Sequence, residues 1–312
     1  MWERWKYEGM LVGTVAVWGF NFPVIKAALA VMHPHVVNAF RFTVSICVLA
    51  AVYVVRERKM GRRIFEPYRK HAKQIVALGL FGFIVYQLCF IIGIDNTTAG
   101  NAALIMASSP MWTAVTGRLF RLERLTSGAW AGLTITLTGT VVIVLTGANE
   151  VTLGSSALFG NIVILGASIC WGAYTALSKP VLRDVTPSGL AFLGLIPALP
   201  ILYGISVPYF ADVWWPSVSL WIWIAIVFSG ALSTGVAIIT WSMSVQHLGS
   251  SHTAAFGNMV PVVALVAGYY LLGEAITRGQ VVGGAVVLIG LYVMRQARRR
   301  EIRGVPPVTP GA

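Results

Sequence analysis

The sequence predicts an all-α integral membrane protein of ten transmembrane helices, arranged as two inverted five-helix repeats. Composition is the first observation behind this: 57% of the 312 residues are hydrophobic and 11% are charged, whereas a soluble globular domain carries about 25% charged residues. The second is a series of ten apolar stretches of roughly 20 residues, the length a helix needs to cross a bilayer. Barrel-type alternation is absent from them, and helices satisfy their own backbone hydrogen bonds in lipid. The third is internal repetition. Trp18-Gly19 precedes Lys26 as Trp171-Gly172 precedes Lys179; Pro110, Glu123 and Thr126 recur as Pro261, Glu274 and Thr277; Gly132 and Gly139 recur as Gly283 and Gly290. Because each half of the chain holds an odd number of spans, the second half must enter the bilayer in the opposite sense to the first.

Taken in order, the first span covers 9–30 and carries Trp18, Asn21, Pro23 and Lys26. The second, 36–55, opens with Arg41 and ends in a basic run. The third, 74–94, holds Tyr86 and Gln87 at its middle. The fourth, 98–119, contains Asn101, Ser108, Ser109, Pro110 and Trp112. Spans five, 128–147, and ten, 280–295, are Gly-rich and uncharged, so they pack closely against the bundle or another subunit rather than lining a pore. Span six, 157–178, contains Trp171 and Tyr174, with Lys179 just beyond. Span seven, 189–209, carries Pro197 and Pro200; span eight, 219–241, ends at Trp241; span nine, 250–272, contains His252, Asn258 and Pro261. Each internal proline removes a backbone donor and tends to kink its helix. Pro110 and Pro261 do so at matching places, which is the pattern of interrupted helices around a binding site. The remaining segment, 296–312, reads as a basic, disordered tail.

The net charge of +12 does not point to nucleic acid, because it is dispersed by side rather than gathered for phosphates. Eight of the 23 Lys and Arg residues lie between spans two and three, and Arg295, Arg298, Arg299, Arg300 and Arg303 follow span ten. Arg118, Arg121 and Arg124 follow span four, Arg183 follows span six, and Arg4 and Lys6 precede span one. The opposite connections hold His33, His35, Asp95, Glu150, Asp212 and Glu274 with the single Arg278. The positive-inside rule then puts both termini in the cytoplasm. Cys47, Cys89 and Cys170 show no paired spacing, so neither a disulfide framework nor a zinc site is indicated. The first span resembles a secretory signal, but its counterpart around Trp171 lies in mid-chain, so the span is expected to be retained.

Function should reside in the polar and aromatic residues of the spans. Trp18, Phe22 and Lys26 form one helical stripe, mirrored by Trp171, Thr175 and Lys179; a ring and an ammonium on one face suit a substrate with an apolar body and a carboxylate. Asn21, Tyr86, Gln87, Asn101, Trp112, Trp171, Tyr174, Trp241 and His252 complete the expected substrate-binding set with Trp18, while Lys26, Arg41 and Lys179 are expected to gate or tune charge. These side chains are costly facing lipid and should turn inward, toward a cavity near the repeat axis. Catalysis is not indicated: Ser251 and His252 diverge on a helix, and no Gly-x-Ser-x-Gly elbow is present. All eleven Asp and Glu residues lie in connections or near span ends, which leaves no carboxylate cage for a metal. No cofactor is expected.

The Trp18-Gly19 pair, Arg41-Phe42, and the runs Pro110 to Gly117 with Leu122-Glu123-Arg124-Leu125-Thr126 and Pro261 with Leu272-Gly273-Glu274 resemble the drug/metabolite transporter superfamily, EamA type. In the first run Arg121 stands where the family usually has Gly. The resemblance implies two EamA-like five-helix repeats, over residues 11–147 and 158–295, and a cavity lined by helices one, three, four, six, eight and nine, as in YddG-like amino-acid exporters. It implies that Glu123 and Glu274 mark helix ends rather than bind substrate. The expected function is export of small metabolites across the inner membrane, with amino acids foremost, aromatic or otherwise apolar, by alternating access. The alternatives are a multidrug or nucleotide-sugar type carrier and a membrane scaffold that moves nothing. The expected partners are a small-molecule substrate and the lipid bilayer, with the chain a monomer or weak homodimer. Proton-driven carriers place a carboxylate within the membrane; with only His252 able to titrate near neutrality inside a span, facilitated efflux is expected.

Topology can be tested directly. Single cysteines at positions 59, 149 and 299, in a background lacking Cys47, Cys89 and Cys170, should label from the inside, the outside and the inside respectively. Labelling of position 59 from outside would reverse the orientation.

Overall fold

The computed structural model describes residues 2–61, 63–122, 126–146, 155–248, 253, 256, 257 and 259–304. Among them every regular element is helical: α1 (Trp2–Leu29), α2 (Pro34–Lys59), α3 (Glu66–Leu80), α4 (Tyr86–Asn96), α5 (Ala99–Met106), α6 (Ser109–Leu119), α7 (Ser127–Thr146), α8 (Ser156–Val181), α9 (Pro187–Ser206), α10 (Leu220–Val227), α11 (Ala237–Leu248), α12 (Val260–Leu272) and α13 (Arg278–Gly304). A π-helical turn, Phe81–Val85, joins α3 to α4, and a longer one, Phe228–Val236, joins α10 to α11. Seven helices, counted across these turns, are long and apolar enough to cross a membrane, and Val260–Leu272 and Arg278–Met294 are shorter apolar helices.

The expected fourth span appears as two pieces. Pro110 stands in the first turn of α6, and the chain breaks at Ala107 and Ser108 before it. Pro261 opens α12 in the same way after Met259, as the sequence predicts. At Pro23, Pro197 and Pro200 the expected interruptions do not occur: α1 and α9 run through them as helix. The tail also differs from expectation, because α13 continues to Gly304; Arg and Gln are good helix formers and extend the helix past the apolar stretch. His252, Asn258 and Glu123 fall outside the described residues.

The repeat offset that carries Pro110 to Pro261 carries Phe81–Val85 onto 232–236, within the second π segment. The two halves therefore widen their helices at corresponding places. Such turns carry no composition signal and were not legible in the sequence.

Helices α7 and α13 pack along one another through the glycines that the sequence singles out. A Cβ on Gly139 would stand 2.6 Å from the backbone N of Val287, and Gly132 and Gly290 approach the backbones of Met294 and Thr136 as closely. In lipid, where apolar side chains gain nothing by leaving the solvent, such backbone approach is what holds a pair together. Elsewhere α1 packs against α11 and α12, α2 and α3 against α9, and α4 and α6 against α8. Cys89 of α4 and Cys170 of α8 lie near one another across that last seam, a pairing that sequence spacing does not reveal.

Beyond α6, Arg121 adopts a left-handed backbone with φ of 56°; beyond α12, Gly273 adopts it with φ of 67°. A side chain makes this conformation unfavourable by about 1–2 kcal/mol. Arg121→Gly should therefore raise stability by about 1 kcal/mol, read as a higher unfolding temperature of the detergent-solubilised protein.

Candidate functional site

Five of the residues expected at the site meet as a continuous run of rings. Trp18 on α1 lies 4.9 Å from Trp241 on α11 and 5.8 Å, edge-on, from Trp171 on α8, between ring centroids. Trp171 in turn lies 5.1 Å from Tyr86 on α4 and stacks at 5.5 Å on Tyr174 one turn along α8. Tyr86 continues to Phe90 and Phe22, and Tyr174 continues through Phe83 to Phe42. Edge-on and tilted aromatic pairs are favourable by about 0.5–1.5 kcal/mol each beyond their buried area, so the run is cohesive. Two close approaches set it in place. A Cβ on Gly82 would meet the Tyr174 ring at 2.7 Å, and one on Gly172 would meet Trp112 Cβ at 2.6 Å.

Beside this run lies Arg41, only 2% exposed. Its Nε donates to Ser229 Oγ at 2.6 Å, one terminal nitrogen to Asn38 Oδ1 at 2.9 Å, and the other to Thr234 Oγ1 at 3.3 Å. Ser229 and Thr234 both belong to the second π segment, and Asn38 Nδ2 donates to the Gln87 carbonyl at 3.3 Å, just after the first. Trp18 Nε1 donates to the Ser233 carbonyl at 3.0 Å, and Ser45 Oγ donates to that of Gly230 at 2.8 Å. The guanidinium thus joins α2 to the second π segment directly and to the start of α4 through Asn38. No carboxylate is among these partners.

Lys26 has a different position from the one its stripe suggests. Its ammonium donates to the carbonyls of Ile94 at 3.0 Å, Asp95 at 3.2 Å and Thr97, which engages all three donors at the C-terminal end of α4, where a cation is favoured. The ammonium expected to gate or tune charge is thus turned to backbone carbonyls in this structure. Asn101 is likewise taken up within the protein: fully buried, it donates to Thr97 Oγ1 and Asn161 Oδ1 and accepts from Gln280 Nε2 at 2.9 Å. A side chain with both ends engaged fastens α5 to α8 and α13. Lys179 lies on the exposed last turn of α8. Glu274, expected as a helix-end marker, accepts from the backbone N–H groups of Ala99 at 2.9 Å and Gly100 at 3.2 Å, so it caps α5.

Sequence reasoning missed Asn161, Ser168, Ser229, Thr234 and Gln280. Ser168 Oγ sits 2.9 Å from the hydroxyls of both Ser108 and Ser109, filling the break ahead of α6. Polarity within an apolar stretch is the signal that singles such residues out, and it applied to these as well. Toward the other end of α1, His33 stacks on Tyr209 at 3.7 Å; burial holds its imidazole below the usual histidine range, against the opposing charges of Asp212 and Asp95.

Against this satisfied background, a few buried atoms lack partners. Among the expected site residues these are Asn21 Oδ1, Gln87 Oε1, Trp112 Nε1 and Trp241 Nε1. Asn21 follows Trp18 by three positions, Gln87 is next to Tyr86, Trp112 packs on Gly172 beside Trp171, and Trp241 touches Trp18. Two donors and two acceptors are left open on α1, α4, α6 and α11, and His35 Nδ1, Glu57 Oε1, Ser188 Oγ and Thr253 Oγ1 lack partners elsewhere among the described residues.

The model of the EamA-like transporter family matches residues 5–145 and 158–296, and the chain belongs to that family. It is a multi-pass membrane transporter of the drug/metabolite type and not an enzyme. It is 28% identical over 302 residues to a probable terminal-alkyne amino-acid exporter of Streptantibioticus cattleyicolor, covering 93% of this chain and 95% of that one. It is 25% identical over 286 residues to a probable amino-acid metabolite efflux pump of Salmonella typhimurium, covering 89% and 91%. An uncharacterized transporter of Bacillus subtilis, YyaM, is 24% identical over 282 residues, covering 90% and 91%. One solved crystal structure shares the fold with a TM-score of 0.66 at 20% identity, over 94% of this chain and 99% of its own.

The Arg41 cluster carries a prediction. Hydrogen bonds to a charged group contribute about 1.5–3 kcal/mol each, partly offset by desolvation, so Arg41→Met should destabilise the purified protein by about 3 kcal/mol. Arg41→Lys should cost about half of that, because an ammonium cannot present the planar fork. Thermal unfolding in detergent measures both.

Proposed function

We propose that the chain exports small amino acids with apolar or aromatic side chains, binding them as zwitterions against the aromatic run. The observation that carries this reading is the set of four unpartnered buried atoms. The indole N–H groups of Trp112 and Trp241 complement a carboxylate, and the amide oxygens of Asn21 and Gln87 complement an ammonium. Each unmet group costs about 1–3 kcal/mol, a deficit that a zwitterion could relieve. The Trp18, Tyr86, Trp171 and Tyr174 rings offer the apolar body a surface of matching chemistry. Relatives named as amino-acid exporters support the same class.

The architecture that goes with this reading is ten spans in two inverted five-helix halves, with both termini on the cytoplasmic side of the inner membrane. The matched breaks at Pro110 and Pro261 and the matched π segments support it. Access alternates between the two faces, and His252 offers a further hydrogen bond. The substrate moves down its own gradient, without an obligatory proton.

In proteoliposomes, Trp18→Ala and Trp171→Ala should lower efflux of a neutral aromatic amino acid about tenfold, the equivalent of one lost aromatic contact of about 1.4 kcal/mol. Its methyl ester and N-acetyl derivative should compete poorly. An imposed pH gradient should not drive uphill accumulation, and His252→Gln should keep most downhill flux. Normal flux in both Trp variants, or equal competition by the blocked derivatives, would remove the zwitterion site; accumulation abolished by a protonophore would remove the facilitated mechanism.

A further inference from the structure

The turn between α2 and α3 borders an open surface hollow of about 840 Å³ lined by Arg58, Arg63, Ile64, Phe65, Glu66, Arg69 and Lys70. Its walls hold four cations and one carboxylate, and Glu66 is bridged to Lys70 at 3.0 Å, so the hollow carries an excess of positive charge. The turn is held in place rather than draped on the surface: the hydroxyl of the fully buried Tyr53 donates to the Ile64 carbonyl at 2.7 Å. Three guanidinium groups around one concavity are the donor set that takes a phosphate oxyanion, each able to present a two-pronged fork.

Two further observations distinguish the kind of phosphate. Exposed apolar side chains stand beside the cations, with Phe65 57% and Met60 51% exposed. Below Arg58, Val55 and Ala51 continue the same face of α2 at helical spacing and are exposed as well. A cationic cleft that gives directly onto an apolar helix stripe matches an amphiphile, with its headgroup in the cleft and a chain along the stripe. It does not match a hydrated inorganic ion. We propose that this cleft is a binding site for the phosphate of an anionic phospholipid headgroup, at the boundary where α2 leaves the membrane.

The test uses the full chain purified in detergent, titrated with phosphatidylglycerol or phosphatidylcholine and read by native mass spectrometry. Phosphatidylglycerol should bind about tenfold more tightly than phosphatidylcholine, as expected for a headgroup charge met by a basic pocket. The variant Arg58→Gln/Arg63→Gln/Arg69→Gln removes both the charge and the forks of the site, while Arg56, Lys59, Arg62, Lys70 and Lys73 keep the loop basic enough to orient the protein, and it should lose most of that preference. The matching change at Arg298, Arg299 and Arg300 should leave the preference intact. Phe65→Ser, which leaves every cation in place, should weaken phosphatidylglycerol binding if the triple variant proves unstable. Equal binding of the two lipids, an unaltered preference in the triple and Phe65 variants, or full displacement of the lipid by millimolar inorganic phosphate would overturn the assignment.

Discussion

A chain surrounded by lipid has no water to offer a stray backbone group, and this constraint governs where the helices of this protein are allowed to depart from regularity. Four of the described departures are met by a named side chain. The second π segment is met by Trp18, Ser45 and Arg41. The end of α4 is met by Lys26, the start of α5 by Glu274, and the break before α6 by Ser168. Charged and polar residues that look costly in an apolar chain are consequently placed where the backbone needs them. Two of the four are ions bonded to backbone groups at helix ends, Lys26 at a C-terminus and Glu274 at an N-terminus, each with the sign that the helix dipole favours.

That rule gives the candidate site its meaning. Four of the eight described buried atoms without a partner belong to α1, α4, α6 and α11, the helices that carry spans one, three, four and eight. They are also mixed in kind, two N–H donors and two carbonyl acceptors, which a hydroxyl or a chloride could not satisfy together. The rings beside them are held by packing rather than by hydrogen bonds, apart from Trp18, whose indole is tied to Ser233.

The aromatic members of the site were legible because they are large, lie within apolar stretches and, for Trp18 and Trp171, recur in both halves. Their assembly into one run required only that the helices carrying them meet. The helical fold was legible in the same way, from composition and span length. Lys26 and Asn101 were legible as inward-facing but not as fasteners, since their partners lie on helices far away in the sequence and one set consists of carbonyls that leave no trace there. The π segments were invisible for a related reason: they are a property of backbone register, set by tertiary bonds such as those from Arg41, and Phe81–Val85 reads as ordinary apolar helix. The left-handed residue after α6 was not legible, because the offset that carries Glu123 to Glu274 carries Leu122, not Arg121, onto Gly273.

These fasteners also constrain how the protein can move. Glu274 and Gln280 from the second half hold the start of α5 from the first, and Arg41 from the first half holds the second π segment. A rigid rotation of one sequence half against the other would break these charge-assisted bonds, at about 1.5–3 kcal/mol each. A motion that keeps them intact carries α5 along with α12 and α13, and α2 along with the second π segment. Bodies that moved without breaking these bonds would be composites of both halves.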